Sequence, residues 1–220
     1  MMHQKTHTVY LIRHGLTYQN LCREYQGSIL DYGILPESRC LIEQRQRSGK
    51  SPDIRTLWAS PLARARRTAE LYFPDMSMEL IPDLMEREFG DWDGRTHDDL
   101  FEEALYRDFI ESFGQATPPG GEPYDVFFSR MKRILDRIES TAQASPDSFP
   151  LALVFHGGPI LHLTDHLLTP DDPFYRFYAP GAGGLRVEIA ADPLRIVQVA
   201  QLFEDDIPVE QTPFYIDFKR

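Results

Sequence analysis

Val9-Tyr10-Leu11-Ile12-Arg13-His14-Gly15 and Leu151-Ala152-Leu153-Val154-Phe155-His156-Gly157-Gly158 are the two stretches whose reading decides the fold. Each is a short unbroken apolar run that ends in His-Gly. Such a run, closed by glycine, reads as a strand buried on both faces of a parallel-type sheet. Ligands of open α/β sheets bind beyond the carboxyl ends of these strands. Arg13, His14 and His156 therefore stand where an active site forms.

Around these two runs the chain alternates strand and helix signals. Residues 8–13 read as the first strand and 15–35 as a loop. Pro36 suits the first turn of a helix over 36–47, with Glu37 early and arginines late. Residues 56–59 read as a second strand. Ser60 then serves as N-cap and Pro61 as first-turn residue of a helix over 61–72. A short strand is expected at 78–81. Residues 86–124 change character, becoming acidic and aromatic with helical pieces around 97–112, and end in the break Thr117-Pro118-Pro119-Gly120-Gly121. They read as a cap inserted over the sheet. A helix at about 123–143 carries Phe127, Met131, Ile134, Leu135 and Ile138 on one face. After the strand 151–155 come a helix over 159–168 and a final pair of strands, 184–189 and 196–203. The expected fold is α/β: a three-layer sandwich, its mainly parallel central sheet flanked by helices, with a small helical cap insertion. One domain over 1–220, with the cap at about 86–124, accounts for the pattern.

Bulk composition narrows the function classes. The 220 residues are 42% hydrophobic, enough for one α/β core with a small cap. The net charge of -11 gives no basic footprint for nucleic acid. Cys22 and Cys40 lack metal-type spacing, and Met1-Met2-His3-Gln4-Lys5 has no apolar core of a secretory segment. No apolar run reaches membrane-spanning length. A cytoplasmic protein with free thiols, binding neither nucleic acid nor membrane, is expected.

Four segments carry chemistry. Arg13-His14-Gly15 presents a ring nitrogen beside a planar guanidinium that suits phosphate or carboxylate, with Thr17 and Asn20 as neutral hydrogen-bonding groups in the same loop. Ser60-Pro61-Leu62-Ala63-Arg64 lies at a second strand-to-helix junction, where Arg64 reaches a bound anion; Arg66 and Arg67 read as surface charges. Leu84 to Gly94 clusters Glu86, Glu88, Asp91 and Asp93, any of which could act as a general acid if burial raised its pKa. His156-Gly157-Gly158-Pro159 turns tightly into a helix whose free N–H groups suit an anion, with His156 facing the same centre as His14. His162 and His166, four apart, read as one helix face rather than a metal pair. Pro180-Gly181-Ala182-Gly183-Gly184 reads as a flexible turn near the pocket rim.

In this order the motifs resemble the histidine phosphatase superfamily, also called phosphoglycerate-mutase-like, over nearly the whole chain. The matches are Arg13-His14-Gly15, Ser60-Pro61-Leu62-x-Arg64-Ala65-x-x-Thr68-Ala69, Leu84-x-Glu86-x-x-Phe89-Gly90-x-Trp92-x-Gly94, Pro119-Gly120-Gly121-Glu122 with Arg130, and Val154-Phe155-His156-Gly157-Gly158. The resemblance implies a two-step phosphoryl transfer. His14 would be the nucleophile and Glu86 the acid that protonates the leaving alcohol. Arg13, Arg64, His156, Asn20 and Gly157 would hold the phosphoryl oxygens, and Thr17, Gln26 and Gly27 would lie on the substrate side. Neither metal nor cofactor is required, because the arginines and His156 supply the positive charge. The pocket arginines should also keep His14 neutral and nucleophilic.

The implied partner is a small phosphorylated metabolite, and the protein a monomer or homodimer. The style of the motifs and the short cap resemble the α-ribazole-phosphatase-like and broad-specificity branch, so α-ribazole phosphate, sugar phosphates and nucleotides are the expected substrates. A phosphoglycerate-type mutase and a non-catalytic phospholigand-binding module are the alternatives. Between Glu88 and Met131 there is no lysine and no Arg-Arg pair, and before Arg130 only Arg95 and Arg107 are on offer, which speaks against the mutase. The intact Arg13, His14, Arg64, Glu86 and His156 set speaks against the binding module. The chain departs from the family at Leu16 and in the loop 28–36.

Overall fold

The computed structural model describes residues 5–167 and 178–203. Their elements in chain order are β1 (Thr6–Arg13), α1 (Tyr18–Cys22), α2 (Pro36–Arg47), β2 (Thr56–Ala59), α3 (Ala63–Tyr72), β3 (Glu79–Leu80), α4 (His97–Leu100), α5 (Ala104–Glu111), α6 (Tyr124–Ala144), β4 (Leu151–Phe155), α7 (Gly157–Leu167), β5 (Gly184–Ala191) and β6 (Leu194–Gln201). The strands form one sheet in the order β3-β2-β4-β1-β5-β6. β1, β2, β3 and β4 run parallel, and β5 and β6 join antiparallel. In the β1–β4 register Arg13 lies beside Phe155, so His14 and His156 leave the sheet at the same edge.

The period-2 alternation of the strands builds two cores. Val9, Leu11, Trp58, Leu151, Leu153 and Phe155 point to one face and pack on Met131, Ile134 and Ile138 of α6 and on Ile160 and Leu163 of α7. Ile12, Leu57, Ala59, Ala152 and Val154 point to the other face and meet Ile42 of α2 and Ala69 and Tyr72 of α3. All five residues of β4 are buried, as a strand covered on both faces requires. This is the three-layer α/β sandwich. The cap is a smaller layer: Trp92, Leu100 and Tyr106 form its buried centre, with Tyr25, Phe89 and Phe109 packed around them. No helix among the described residues is long and apolar enough to cross a membrane.

Local structure corrects several readings. The loop expected over 15–35 contains α1, whose capping box pairs Thr17 with Asn20. Ser60 is not an N-cap and Pro61 lies outside the helix. α3 starts at Ala63, with Leu62 in the cap position. The helix expected from Pro159 starts at Gly157, so both glycines form its first turn. β3 is confined to two residues, paired only with the end of β2. The glycine-rich turn after Pro180 is pinned rather than loose. Ala182 N–H donates to His14 O, Arg13 N–H donates to Gly183 O, and Arg45 and Tyr72 both donate to Ala182 O.

Candidate active site

The site forms where β1, β2 and β4 end. His14 is buried, and its Nδ1 lies 2.8 Å from the carbonyl of Gly15. A carbonyl only accepts, so Nδ1 carries the proton and the lone pair sits on Nε2. Burial first, then the charges of Arg64 and Arg13, hold this imidazole well below the ordinary histidine range. A neutral ring with its Nε2 lone pair outward is the nucleophilic form. The His156 ring lies 5.0 Å away between centroids. It is fully buried and likewise held neutral, by burial and then by Arg64. Its Nε2 hydrogen-bonds Ser60 Oγ at 2.8 Å.

Two arginines flank the histidines. Arg13 Nη1 donates to Tyr178 Oη at 2.9 Å and to Ala179 O at 3.2 Å. Arg64 has no exposed surface. Its Nη1 donates to Leu30 O at 3.1 Å, its Nη2 to Gly27 O at 3.1 Å and Gln26 O at 3.4 Å, and Asp31 stands at 3.5 Å. Arg13 Nε, Arg64 Nε and His156 Nδ1 are buried with no hydrogen-bond partner among the described residues. The two guanidinium N–H groups fit an anion, because an unmet guanidinium N–H in the interior is costly.

Among the four acidic candidates, Glu86 is the buried one. Its carboxylate accepts from Arg87 N–H at 2.9 Å and Gly158 N–H at 3.2 Å. Desolvation nevertheless raises its pKa above the ordinary carboxyl value, against those two bonds and the charge of Arg64. Such a carboxyl retains a proton to give at higher pH than a surface glutamate. Asp91 is exposed. Asp93 accepts from Gly27 N–H at 2.6 Å and so holds the loop that in turn holds Arg64. The approach there is close: a Cβ at Gly27 would stand 2.7 Å from Arg87 O.

His14, His156, Arg13, Arg64 and Glu86 thus converge. Gly157 lies against the Arg13 guanidinium, which a Cβ there would meet at 3.4 Å. Gly158, which the motifs gave no separate role, donates its N–H to Glu86. Thr17 is fully buried, donating to Gln26 Oε1 at 2.7 Å. Asn20 Oδ1 accepts from Thr17 N–H at 3.2 Å, inside the capping box. Gln26 and Gly27 reach Arg64 through their carbonyls.

The motifs gave Ser60, Thr68 and Asp31 no part in the site. Thr68 accepts from Gly15 N–H and donates to Arg64 O. Its position four residues after Arg64 on α3 was the available signal. Asp31 accepts from Ala63 N–H at 2.7 Å, at the start of α3. Nothing in its local sequence marks it, since the contact spans 32 residues.

The other described histidines lie elsewhere. His7 packs on Phe149, His97 bonds Tyr106, and His162 sits among Tyr124, Phe127 and Phe128. His3 and the side chain of His166 lie outside the described residues.

Comparison with known proteins places this geometry. The model of the histidine phosphatase superfamily (branch 1) matches residues 9–201. The chain is 32% identical over 169 residues to the adenosylcobalamin/alpha-ribazole phosphatase of Salmonella typhimurium, covering 73% of this chain and 79% of that protein. It is 31% identical over 153 residues to a probable phosphoglycerate mutase GpmB of Erwinia tasmaniensis, covering 68% of this chain and 69% of that one. The crystal structure of phosphoglycerate mutase from Thermus thermophilus superposes with a TM-score of 0.69 at 27% identity, over 90% of this chain and 99% of that one. The chain belongs to branch 1 of the histidine phosphatase superfamily and is a phosphatase of that family.

Proposed function

We propose that this protein hydrolyses small phosphomonoesters in two steps through a phosphohistidine at His14. In the first step His14 Nε2 attacks phosphorus, the bond from phosphorus to the substrate oxygen breaks, and Glu86 protonates the departing alcohol. In the second step water attacks the phosphohistidine. Glu86 takes the water's proton, the bond between nitrogen and phosphorus breaks, and inorganic phosphate leaves. Arg13 Nε, Arg64 Nε and His156 Nδ1 bind the phosphoryl oxygens and offset their charge. The observation that carries this reading is the Nδ1 bond of His14 to Gly15 O, which turns Nε2 into the lone-pair nitrogen of a buried, neutral ring.

Hydrolysis is favoured over phosphoryl transfer between positions of a sugar acid. The cap arginines are occupied: Arg95 pairs with Glu103 at 2.7 Å, and Arg107 donates to the carbonyls of Phe101 and Glu102. Neither is left to clamp a substrate carboxylate. Leu16 follows His14-Gly15, and Ile29 and Tyr32 flank Leu30 and Asp31, whose oxygens meet Arg64; all three are exposed. They favour a substrate whose alcohol carries an apolar or planar body, in line with the α-ribazole phosphate that the Salmonella relative's name gives. In the same reading the chain acts as one domain, with the cap at about 86–124 covering the site.

The test is hydrolysis of p-nitrophenyl phosphate in the presence of chelator by wild type and His14→Ala, with an alkaline denaturing quench to trap the phosphoenzyme. Chelator-resistant turnover and an acid-labile phosphoenzyme, both lost in His14→Ala, are expected. Undiminished turnover in the variant would overturn the reading.

A further inference from the structure

Ser60 lies at the end of β2, fully buried, and its hydroxyl has two neighbours: Leu62 N–H at 3.3 Å and His156 Nε2 at 2.8 Å. A hydroxyl has one proton to donate. The Leu62 amide can only donate into the oxygen, so that proton is available for His156. We infer that Ser60 is a positioning residue for the reaction: its hydroxyl donates to His156 Nε2, fixes the ring in the Nδ1–H tautomer, and thereby makes Nδ1 a donor toward the phosphoryl group.

The second ring nitrogen supports the assignment. His156 Nδ1 is buried and has no hydrogen-bond partner among the described residues, and its ring lies 5.0 Å from that of His14. In the opposite tautomer Nε2–H would donate to Ser60, and Nδ1 would present a bare lone pair to an incoming anionic oxygen, which repels it. In the assigned tautomer both nitrogens are used: Nε2 accepts from the protein, and Nδ1–H remains for the ligand. The bond an imidazole makes at one nitrogen sets what the other can do. His14 and His156 are then set in the same tautomer by opposite means. A carbonyl accepts from Nδ1–H of His14, so its Nε2 attacks, and a hydroxyl donates to the Nε2 lone pair of His156, so its Nδ1 donates.

The inference rests on the phosphoryl-binding role proposed above for His156, but its first readout does not depend on turnover. Long-range proton–nitrogen spectra of histidine-labelled protein, with the His156 signals identified by their loss in His156→Gln, report the tautomer directly. Wild type is expected to show a protonated Nδ1 and a lone-pair Nε2. Ser60→Ala should mix the tautomers and lower kcat for p-nitrophenyl phosphate about 10- to 100-fold, as for loss of one hydrogen bond at a charged centre. Ser60→Thr, which keeps the hydroxyl, should restore the tautomer and most of kcat. An Nε2–H tautomer in wild type, or one unchanged in Ser60→Ala, would overturn the assignment even if Ser60→Ala were less active. If the spectra are as expected but no phosphoenzyme forms in wild type, the tautomer assignment stands and the phosphohistidine reading falls.

Discussion

At the scale of single residues the site is a set of proton positions and charges fixed by neighbours a few atoms away. Glu86 shows this best. Burial raises its pKa although two backbone N–H groups and Arg64 pull it down, so desolvation wins. An acid of this kind matters most when the leaving alcohol is poor. Glu86→Gln should therefore lower kcat by about 100-fold or more for an alkyl phosphate, within the usual range for general acid catalysis. For p-nitrophenyl phosphate, whose phenolate departs without a proton, the loss in the first step should be much smaller. Pre-steady-state release of the two alcohols measures it; equal losses for both substrates would remove the acid role. Gly158 belongs to the same account: a Cβ there would stand 2.5 Å from Glu86 Oε1, so only glycine leaves that carboxyl in place.

At the scale of elements, the cap and the loops are held by buried arginines whose partners are mostly backbone. Arg87 donates to Glu122 O, Gly114 O and Ala116 O, and so ties the chain next to Glu86 to the end of the cap. Arg130, projecting from α6, makes a two-pronged pair with Glu122 at 2.7 and 2.8 Å and donates to Asp83 O at 2.8 Å. Removing one partner of such a pair strands the other charge in the interior. Arg130→Met should cost about 3 kcal/mol in urea unfolding, whereas Arg130→Met combined with Glu122→Leu should recover most of it. Equal destabilisation in the single and double variants would show that the backbone bonds of Arg130, not the ion pair, carry the effect. The cap aromatics divide in the same structural terms: Tyr106 is buried and bonded to Tyr25 and His97, while Phe113 is 77% exposed. Sequence could not separate them, because a short helical piece shows no second element against which to define its buried face.

At the scale of the whole molecule, folding buries two neutral histidines side by side, and stability inherits their titration. Both have folded pKa values well below the ordinary 6.5. Below pH 6.5 the unfolded chain takes up protons at these positions and the folded one does not. Their contribution is therefore fully present above 6.5 and is lost as pH falls toward the folded values. The slope is at most about 1.4 kcal/mol per pH unit for each histidine. Glu86 acts in the opposite sense, since its raised pKa favours the folded state at lower pH. The thermal midpoint of wild type should drop more steeply from pH 7.5 to 5.5 than that of a His14→Asn, His156→Asn double variant, and equal slopes would show that these rings are not the source. The sequence by itself determined the parallel strands β1, β2 and β4 and put His14 and His156 at the ends of two of them, because unbroken apolar runs and glycine punctuation are local features of the chain. Only the tertiary structure decided which carboxyl among Glu86, Glu88, Asp91 and Asp93 is desolvated, that Ser60 faces His156 rather than capping α3, and that Thr17 and Asn20 form a capping box. Those outcomes depend on hydrogen bonds and burial between segments far apart in the chain, such as Ser60 and His156, 96 residues apart, and nothing local records them.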